Sequence, residues 1–187
     1  AINAMRPVEI EDLLGREPVS IQTEDVCNMV SGKTVLVTGA GGSIGSELCR
    51  QLARFEPDTL VLLDGSEFVL YTIEQDLSKS RVSAKVVPLV GDVKDEARIR
   101  EVFDCWQPHL VFHAAAYKHV PLMEVSNAWQ AVRNNVLGTL TVAREAQAHG
   151  AERFVLVSTD KAVNPTNVMG ATKRLAEMVC EALHTRG

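Results

Sequence analysis

The sequence predicts an α/β fold in which helices cover both faces of a doubly wound parallel sheet. Five short apolar segments alternate along the chain with segments whose apolar residues recur at helical spacing. This alternation is typical of right-handed βαβ units, and strands that are apolar throughout are buried on both faces. The chain has 187 residues, of which 46% are hydrophobic, which is enough for one domain with a sizeable core.

Composition argues against several classes of function. The formal charge of −5 and the lack of a Lys/Arg-rich run argue against nucleic-acid binding. No segment approaches the roughly 18 apolar residues of a membrane span, and the first residues do not resemble a signal peptide. Dispersed histidines predict no metal site. Single cysteines without CxxC spacing predict reduced thiols in a cytoplasmic protein, and these are Cys27, Cys49, Cys105 and Cys180.

The predicted elements fall into two parts. Residues 1–30 show no βα alternation, so we expect an N-terminal arm that packs on the domain, with a short helix capped near Thr23 and stopped by Gly32. In residues 31–187 the predicted strands are Thr34–Thr38, Thr59–Leu63, Lys85–Val90, His109–His113 and Arg153–Val157. The predicted helices are Ser43–Phe55, Glu67–Ser80, Asp95–Trp106, Asn127–His149 and Asn167–His184. No strand follows the last helix, so we expect a fragment that is truncated before the last strands and the substrate domain.

A glycine-rich turn joins the first strand to the helix that follows it. Gly39, Gly42 and Gly45 match the GxxGxxG spacing of a dinucleotide site, with Ser43 and Ile44 inside the turn. Glycines permit a tight turn and a close approach of the ligand, and the free N–H groups of the helix N-terminus stabilise a pyrophosphate. This context predicts a Rossmann-like NAD(P)-binding domain. A plain glycine-rich turn is the alternative.

Two carboxylates extend the predicted cofactor site. Asp64 ends the second strand, where it can accept hydrogen bonds from an adenosine ribose. This favours NAD over NADP, because a carboxylate would repel a 2′-phosphate. Asp92, followed by Val93, is placed for the adenine amino group. Either carboxylate could instead cap the helix that follows it. The small residues that would let a cofactor pass over the fourth strand are Ala114, Ala115 and Ala116.

Reactive side chains gather after the fifth strand. Thr159, Asp160 and Lys161 place a hydroxyl, an acid and a base side by side at the end of a buried strand. Met169 and Lys173 are four residues apart, so both project from one face of the last helix. This stretch is the predicted catalytic site, although Met169 stands where chemistry would usually need a phenol.

Several motifs together carry a resemblance to a known family, and they cover nearly the whole chain. They are RPVEIEDLLGREPV, TGAGGSIGSEL, LLDGSEFVLY, GDVKD, HAAAYKHVPLME, NNVLGT and STDKAVNPTNVMGATKR. With them the chain resembles the extended short-chain dehydrogenase/reductases, and among these the nucleotide-sugar 4,6-dehydratases. It is most similar to the long, membrane-anchored UDP-N-acetylglucosamine 4,6-dehydratases of the CapD, WbpM and PglF type. The arm resembles the segment that joins their membrane region to the catalytic domain.

The resemblance implies a lyase that makes a UDP-4-keto-6-deoxy sugar for bacterial surface polysaccharide, such as capsule or lipopolysaccharide. Such an enzyme passes a hydride from sugar C4 to NAD(P)+, eliminates water across C5–C6 and returns the hydride to C6. It further implies a parent protein in the bacterial inner membrane, with this domain in the cytoplasm. The superfamily often dimerises through two helices of each subunit, and helix Asn127–His149 is a candidate for half of such an interface in a homo-oligomer, with the oligomeric state left open. The alternatives are a C5-inverting dehydratase, a 4-epimerase, or a non-catalytic dinucleotide-binding module.

The resemblance also assigns roles within the catalytic stretch. Asp160 would be the acid to the departing 6-hydroxyl, and Lys161 would assist removal of the C5 proton or stabilise the enolate. We expect burial to raise the pKa of Asp160 and to lower that of Lys161. Lys173 would bind the nicotinamide ribose. Met169 replaces the usual tyrosine and cannot accept a proton, so Thr159 would help the 4-hydroxyl lose its proton. The alternative for Asp160 and Lys161 is a surface ion pair in a loop.

Three further residues enter by resemblance. Lys118 and Glu124 would contact the UDP-sugar or position the active-site loop, with a solvated polar loop as the alternative. Asn135 would tie its helix to the neighbouring active-site strand, with an exposed helix position as the alternative.

Overall fold

A computed structural model describes residues 23–80 and 82–186. Most of the predicted arm therefore lies outside the described residues. Its last part forms helix α1 (Thr23–Val30), and Gly32, with φ +69°, follows the end of that helix as the sequence predicts. Within the described residues, no helix is long and apolar enough to cross a bilayer.

The described chain contains a five-stranded parallel sheet. Its strands are β1 (Thr34–Thr38), β2 (Thr59–Asp64), β3 (Lys85–Val90), β4 (Leu110–His113) and β5 (Arg153–Leu156). Their spatial order is β3-β2-β1-β4-β5, with Thr38 of β1 level with Leu63 on one side and His113 on the other. The strand order reverses beside β1, so ligands are expected at the carboxyl ends of β1 and β4. The predicted Rossmann-like doubly wound sheet is confirmed.

Helices cover both faces of this sheet. They are α2 (Ser43–Ala53), α3 (Glu67–Lys79), α4 (Glu96–Trp106), α5 (Val120–Glu124), α6 (Ala128–Ala131), α7 (Gly138–Ala148) and α8 (Val168–Arg186). A π-helical turn (Val132–Leu137) joins α6 to α7, and a 3-10 turn (Asp160–Ala162) follows β5.

The core has two layers because alternate residues of each strand point to opposite faces. Val35 and Leu60 pack on one face with side chains of α1, α2 and α3. Leu36 and Val61 pack on the other face with side chains of α4 and α7. This two-sided burial is why the middle strands β1, β2 and β4 have apolar runs rather than an alternating pattern. The edge strand β5 is not the buried strand that the sequence predicts, because its residues are exposed or half-buried.

One prediction about the helices needs correction, and one alternative is excluded. The predicted helix Asn127–His149 is not uniform, because the π turn interrupts it where Asn134 and Asn135 are buried. A π turn carries one extra residue, which re-aims the side chains around it. Asp92 does not cap α4, since the N-cap is Asp95, whose carboxylate accepts the amide of Arg98.

Candidate functional site

The glycine turn brings β1 close to the segment after β4. Gly39 has φ +68°, and a Cβ there would lie 2.6 Å from the amide nitrogen of Ala115. A Cβ at Gly45 would overlap the carbonyl oxygen of Gly39. Gly41, which the sequence motif does not single out, leaves room for the side chain of Val69. The turn therefore depends on glycine, and it leaves the N-terminus of α2 open to a ligand.

A groove of about 380 Å³, the first groove, runs over the ends of β1, β2, β3 and β4. Predicted cofactor residues that line it are Gly39, Gly42, Asp64, Asp92, Val93, Ala114, Ala115 and Ala116. Asp64 accepts hydrogen bonds from the amides of Gly41 (2.9 Å) and Ser66 (3.0 Å). The N-cap of α3 is Ser66 rather than Asp64. Asp64 thus lies between two loops at the groove wall, and the proposed helix-cap role is not what the structure shows.

The first groove also contains a cation that sequence reasoning missed. Lys94 donates through Nζ to Asp92 (2.7 Å) and to Asn134 (3.4 Å), and its Nζ stands 5.7 Å from the ring centre of Tyr117. Partial burial acts to raise the pKa of Asp92, but hydrogen bonds from Lys94 outweigh it and hold that pKa below its usual value. The only sequence signal for Lys94 was its position next to Asp92 and Val93.

A second groove, of about 320 Å³, adjoins the first at the ends of β4 and β5. Both are lined by Gly42, Ala114, Ala116 and Tyr117, so they form one continuous channel. Predicted residues that line the second groove are Ser43, Ile44, Gly45, Lys118, Thr159, Lys161, Met169 and Lys173. Asp160, Glu124 and Asn135 do not line it. The structure therefore brings most of the predicted site residues together at one edge of the sheet.

Lys173 is the buried cation of the second groove. It is 5% exposed, and its Nζ donates to the carbonyl oxygen of Val157 at 2.5 Å. Burial lowers its pKa, while the charge of Glu177 acts in the opposite direction. An ammonium has three donors, and among the described residues Val157 supplies its one acceptor. The remaining N–H groups are available to ligand oxygens in the groove.

Asp160 and Lys161 lie at the surface. Their side chains are 87% and 51% exposed and 3.5 Å apart. A hydrogen bond from Thr159, followed by the charge of Lys161, lowers the pKa of Asp160. The expectation that burial raises this pKa is therefore wrong, because the 3-10 turn carries Asp160 away from the sheet into solvent. The burial expected for Lys161 is not found either. Within the described residues, Asp160 and Lys161 form a surface ion pair, which is the alternative given for them from the sequence.

Lys118 and Glu124 each form a hydrogen bond to another segment of the site, so they are not simply part of a solvated polar loop. Lys118 donates from Nζ to the Ser43 hydroxyl at 2.7 Å, which places a cation at the N-terminus of α2. Glu124 accepts the amide of Val168 at 2.7 Å and so holds the first residue of α8. Lys118 thus faces the region where a pyrophosphate is expected, and Glu124 positions the helix that carries Lys173.

Asn135 is a buried clamp between three segments. It is 1% exposed, which excludes the alternative of an exposed helix position. Its Oδ1 accepts the Tyr117 amide (2.8 Å), and its Nδ2 donates to the Tyr117 carbonyl (3.1 Å) and to the Thr172 hydroxyl (3.0 Å). Its Oδ1 also accepts from Asn134 (3.1 Å), so all four positions of the amide are used. Asn135 thereby fixes the wall shared by the two grooves to α8.

Two other polar contacts near the site were not predicted. Ser158 donates to the carboxylate of Glu177, one turn after Lys173 on α8. His113 is buried at the end of β4 between two threonines. Its one sequence signal was a histidine at the end of an otherwise apolar strand. The described part of the chain holds no cluster of three or more side chains suited to bind a metal ion.

The chain was compared with known proteins. A profile of the family described as polysaccharide biosynthesis protein matches residues 35–187. Capsular polysaccharide biosynthesis protein CapD of Staphylococcus aureus is 51% identical over 184 residues, covering 98% of this chain and 31% of CapD. An inverting UDP-N-acetylglucosamine 4,6-dehydratase of Campylobacter jejuni is 30% identical, covering 78% of this chain and 42% of that enzyme.

A solved structure shares the fold. An epimerase from Methanothermobacter thermautotrophicus superposes with a TM-score of 0.72 at 27% identity, covering 86% of this chain and 50% of the epimerase. The chain thus spans between about a third and a half of the proteins it resembles.

Proposed function

This chain belongs to the polysaccharide biosynthesis protein family, and we propose that it is the cofactor-binding part of a nucleotide-sugar 4,6-dehydratase. Its relatives include nucleotide-sugar dehydratases and epimerases built on the short-chain dehydrogenase/reductase fold. The proposed substrate is UDP-N-acetylglucosamine, and the proposed product is a UDP-4-keto-6-deoxy sugar. One observation carries this choice: Thr159 lines the second groove beside Lys161 and Lys173 and also hydrogen-bonds to Asp160.

The residues present fit a nicotinamide dinucleotide. Glycines at positions 39 and 45 keep the turn open at the α2 N-terminus, and Lys118 adds a positive charge there. In this proposal Asp64, which lines the first groove, binds the ribose diol of the adenosine half, and Lys173, which lines the second, binds the ribose of the nicotinamide half. The Asp64 carboxylate would repel a 2′-phosphate, which favours NAD over NADP. When bound, NAD accepts a hydride from C4 of the sugar and returns it to C6.

Thr159 and Asp160 account for the first proton. Asp160 is a carboxylate at neutral pH, because Thr159 and Lys161 lower its pKa. Thr159 donates its hydroxyl proton to Asp160 at 3.0 Å, so a proton leaving the sugar 4-hydroxyl can pass through Thr159 to Asp160. Asp160 then acts as a base, which is the role its exposed position favours.

The same proton serves the elimination. Once protonated, Asp160 supplies this proton back through the Thr159 hydroxyl to the departing 6-hydroxyl, which leaves as water. Lys161 acts at that step in its neutral amine form, in which it takes the C5 proton and returns it to C5 when C6 is reduced. The protons balance over the cycle, and the acid arises from the oxidation step.

Met169 separates this proposal from chemistry that uses a tyrosine base. It is buried at the groove wall, four residues before Lys173, and its thioether cannot accept the 4-hydroxyl proton. The proton path must therefore begin at another group. Among the hydroxyls that line the groove, we assign this role to Thr159, because it is the one that bonds to Asp160. A 4-epimerase has no elimination step and would have no use for the Asp160–Lys161 pair.

The test is to incubate the full-length protein with NAD and UDP-N-acetylglucosamine and to identify the product by mass spectrometry and NMR. We expect loss of one water and a 4-keto-6-deoxy sugar. A product of unchanged mass, epimerised at C4, would identify a 4-epimerase. Absence of any product under saturating NAD would reject the proposal.

A further inference from the structure

His113 joins β1 to the π turn through a line of buried hydrogen bonds. It ends β4 and is fully buried. Its Nδ1 lies 2.6 Å from the hydroxyl oxygen of Thr38, and its Nε2 lies 3.0 Å from that of Thr139. The Thr139 hydroxyl lies in turn 2.7 Å from the backbone carbonyl oxygen of Asn135. The ring thus bridges the sheet and the helical segment that covers it.

Counting protons fixes the direction of every bond in this line. The Asn135 carbonyl has no proton, so the proton in the 2.7 Å contact must come from Thr139. A hydroxyl has one proton, so Thr139 can only accept from His113, and Nε2 must carry a hydrogen. Burial disfavours a charged ring, so Nδ1 carries none and accepts the proton of Thr38.

Each end of this line adjoins residues that line the channel. Thr38 directly precedes Gly39, the first residue of the glycine turn. Asn135 holds the backbone of Tyr117 and the hydroxyl of Thr172, and Thr172 precedes Lys173 on α8. The position of Asn135 therefore sets the distance between the glycine turn and the helix of Lys173.

We propose that His113, held as its Nε2–H tautomer, is a positioning residue that fixes Asn135 and thereby the width of the channel. The identity of the ligand in the channel rests on the proposed function, whereas the assignment of the tautomer rests on the hydrogen bonds around His113. An apolar side chain at this position would leave the buried Thr38 hydroxyl proton without its acceptor, which is costly, and would remove the donor to Thr139. A neutral imidazole supplies an acceptor on one edge and a donor on the other, as the two threonines require.

The tautomer can be read directly. Long-range 1H–15N spectra of protein labelled with 15N-histidine distinguish Nε2–H from Nδ1–H rings. We expect His113 to show only the Nε2–H form between pH 6 and 8, and the Thr139→Ser variant to keep it. Thr139→Val removes the acceptor and should mix the two tautomers. An Nδ1–H ring in the wild-type protein would overturn the proposal.

A matched pair of amides tests the positioning role. The amide group of His113→Gln reaches about as far from the backbone as Nε2, whereas that of His113→Asn reaches only about as far as Nδ1. Calorimetry with NAD should show His113→Gln binding within about threefold of wild type. His113→Asn should bind about tenfold more weakly, the loss expected for one hydrogen bond. A structural role alone would weaken both variants equally, so equal affinities would overturn the proposal.

The variants also separate this proposal from the proposed function. If His113→Asn fails to fold, Thr139→Val and Thr139→Ser replace the pair, with loss of NAD affinity expected only for Thr139→Val. Equal affinities in that pair would likewise overturn the positioning role. Failure of the wild-type protein to bind NAD, with the Nε2–H ring intact, would reject the cofactor and with it the channel role of His113. Normal NAD binding in every variant would reject the positioning role and leave the proposed function standing.

Discussion

The Thr159 hydroxyl donates a hydrogen bond to the Asp160 carboxylate at 3.0 Å, although the two side chains face different surroundings. Thr159 lines the second groove, whereas Asp160 is exposed to solvent. The Thr159 hydroxyl thus forms a hydrogen bond from the groove to a carboxylate that lies outside it. This geometry gives a weakly basic threonine a route for the proton that it must pass on.

Replacing Thr159 with valine should break this route. We expect the kcat of Thr159→Val to fall by roughly 10²–10⁴-fold, the range typical for loss of one proton-transfer group. Thr159 is not among the residues assigned to NAD, so NAD affinity should stay within about threefold of wild type, a change of less than about 1 kcal/mol. Turnover of UDP-N-acetylglucosamine by the full-length protein provides the measurement.

Thr159→Ser is the matched control, since it keeps the hydroxyl and removes only a methyl group. It should retain more than about a tenth of the wild-type kcat. Near-normal turnover by Thr159→Val would remove Thr159 from the proton path.

Asp64 should control the choice between NAD and NADP. In Asp64→Asn the amide keeps a carbonyl for one of the two backbone N–H donors, from Gly41 and Ser66, but it carries no charge. We expect NAD affinity to fall by about tenfold, because a charged acceptor is lost at the ribose diol. NADP affinity should fall less or rise, since the repulsion of the 2′-phosphate is gone.

The measurement is a pair of titrations, one with each cofactor, on wild type and variant. Asp92→Asn is a suitable comparison, because Asp92 lines the same groove and is assigned to the adenine rather than to the ribose. Its ratio of NAD to NADP affinity should stay near that of wild type. An unchanged ratio in Asp64→Asn would contradict the assignment of Asp64.

Local patterns were sufficient to predict the sheet and the glycine turn. Strands β1 and β3 have the predicted bounds, and the other three differ by one residue at one end. This succeeds because a strand buried on both faces must be apolar throughout, which a single sequence displays. The turn was predictable because Gly39 and Gly45 meet steric limits that no other residue satisfies.

The parts that failed depend on contacts between distant segments. The π turn forms where Asn135 meets Tyr117 and Thr172, which are 18 and 37 residues away. Glu124 reaches Val168 across 44 residues. The exposure of Asp160 depends on where the 3-10 turn directs its side chain, which neighbouring residues do not determine. No periodicity in a single sequence encodes such relations.

His113 should make the stability of the protein depend on pH. Burial, helped by the charge of Lys173, lowers the pKa of His113 to about 3, whereas an unfolded histidine has a pKa of about 6.5. Below pH 6.5 the unfolded chain therefore binds a proton that the folded chain does not. The free energy of unfolding should fall as pH drops from 6.5 toward 3, by at most about 1.4 kcal/mol per pH unit from this residue.

Denaturant unfolding at several pH values in this range provides the measurement, with His113→Gln as the reference. All other titrating groups are common to both proteins. These include His149, whose pKa is raised by its bonds to Asp104 and to the Glu145 carbonyl and which acts in the opposite direction. The difference between the two proteins thus isolates His113. Parallel pH profiles would show that His113 binds protons equally well in the folded state.

Met169 should act through its shape alone. It is 5% exposed and packs at the groove wall between Thr159 and Lys173, and its thioether has no proton to exchange. Met169→Leu conserves volume and lacks the sulfur, so we expect kcat within about threefold of wild type and a loss of stability below about 1.5 kcal/mol. Met169→Ala removes most of the side chain and should cost about 2–5 kcal/mol of unfolding free energy. If Met169→Leu instead lost activity by a factor comparable to Thr159→Val, the sulfur would have a direct part in the reaction and the proton path would not begin at Thr159.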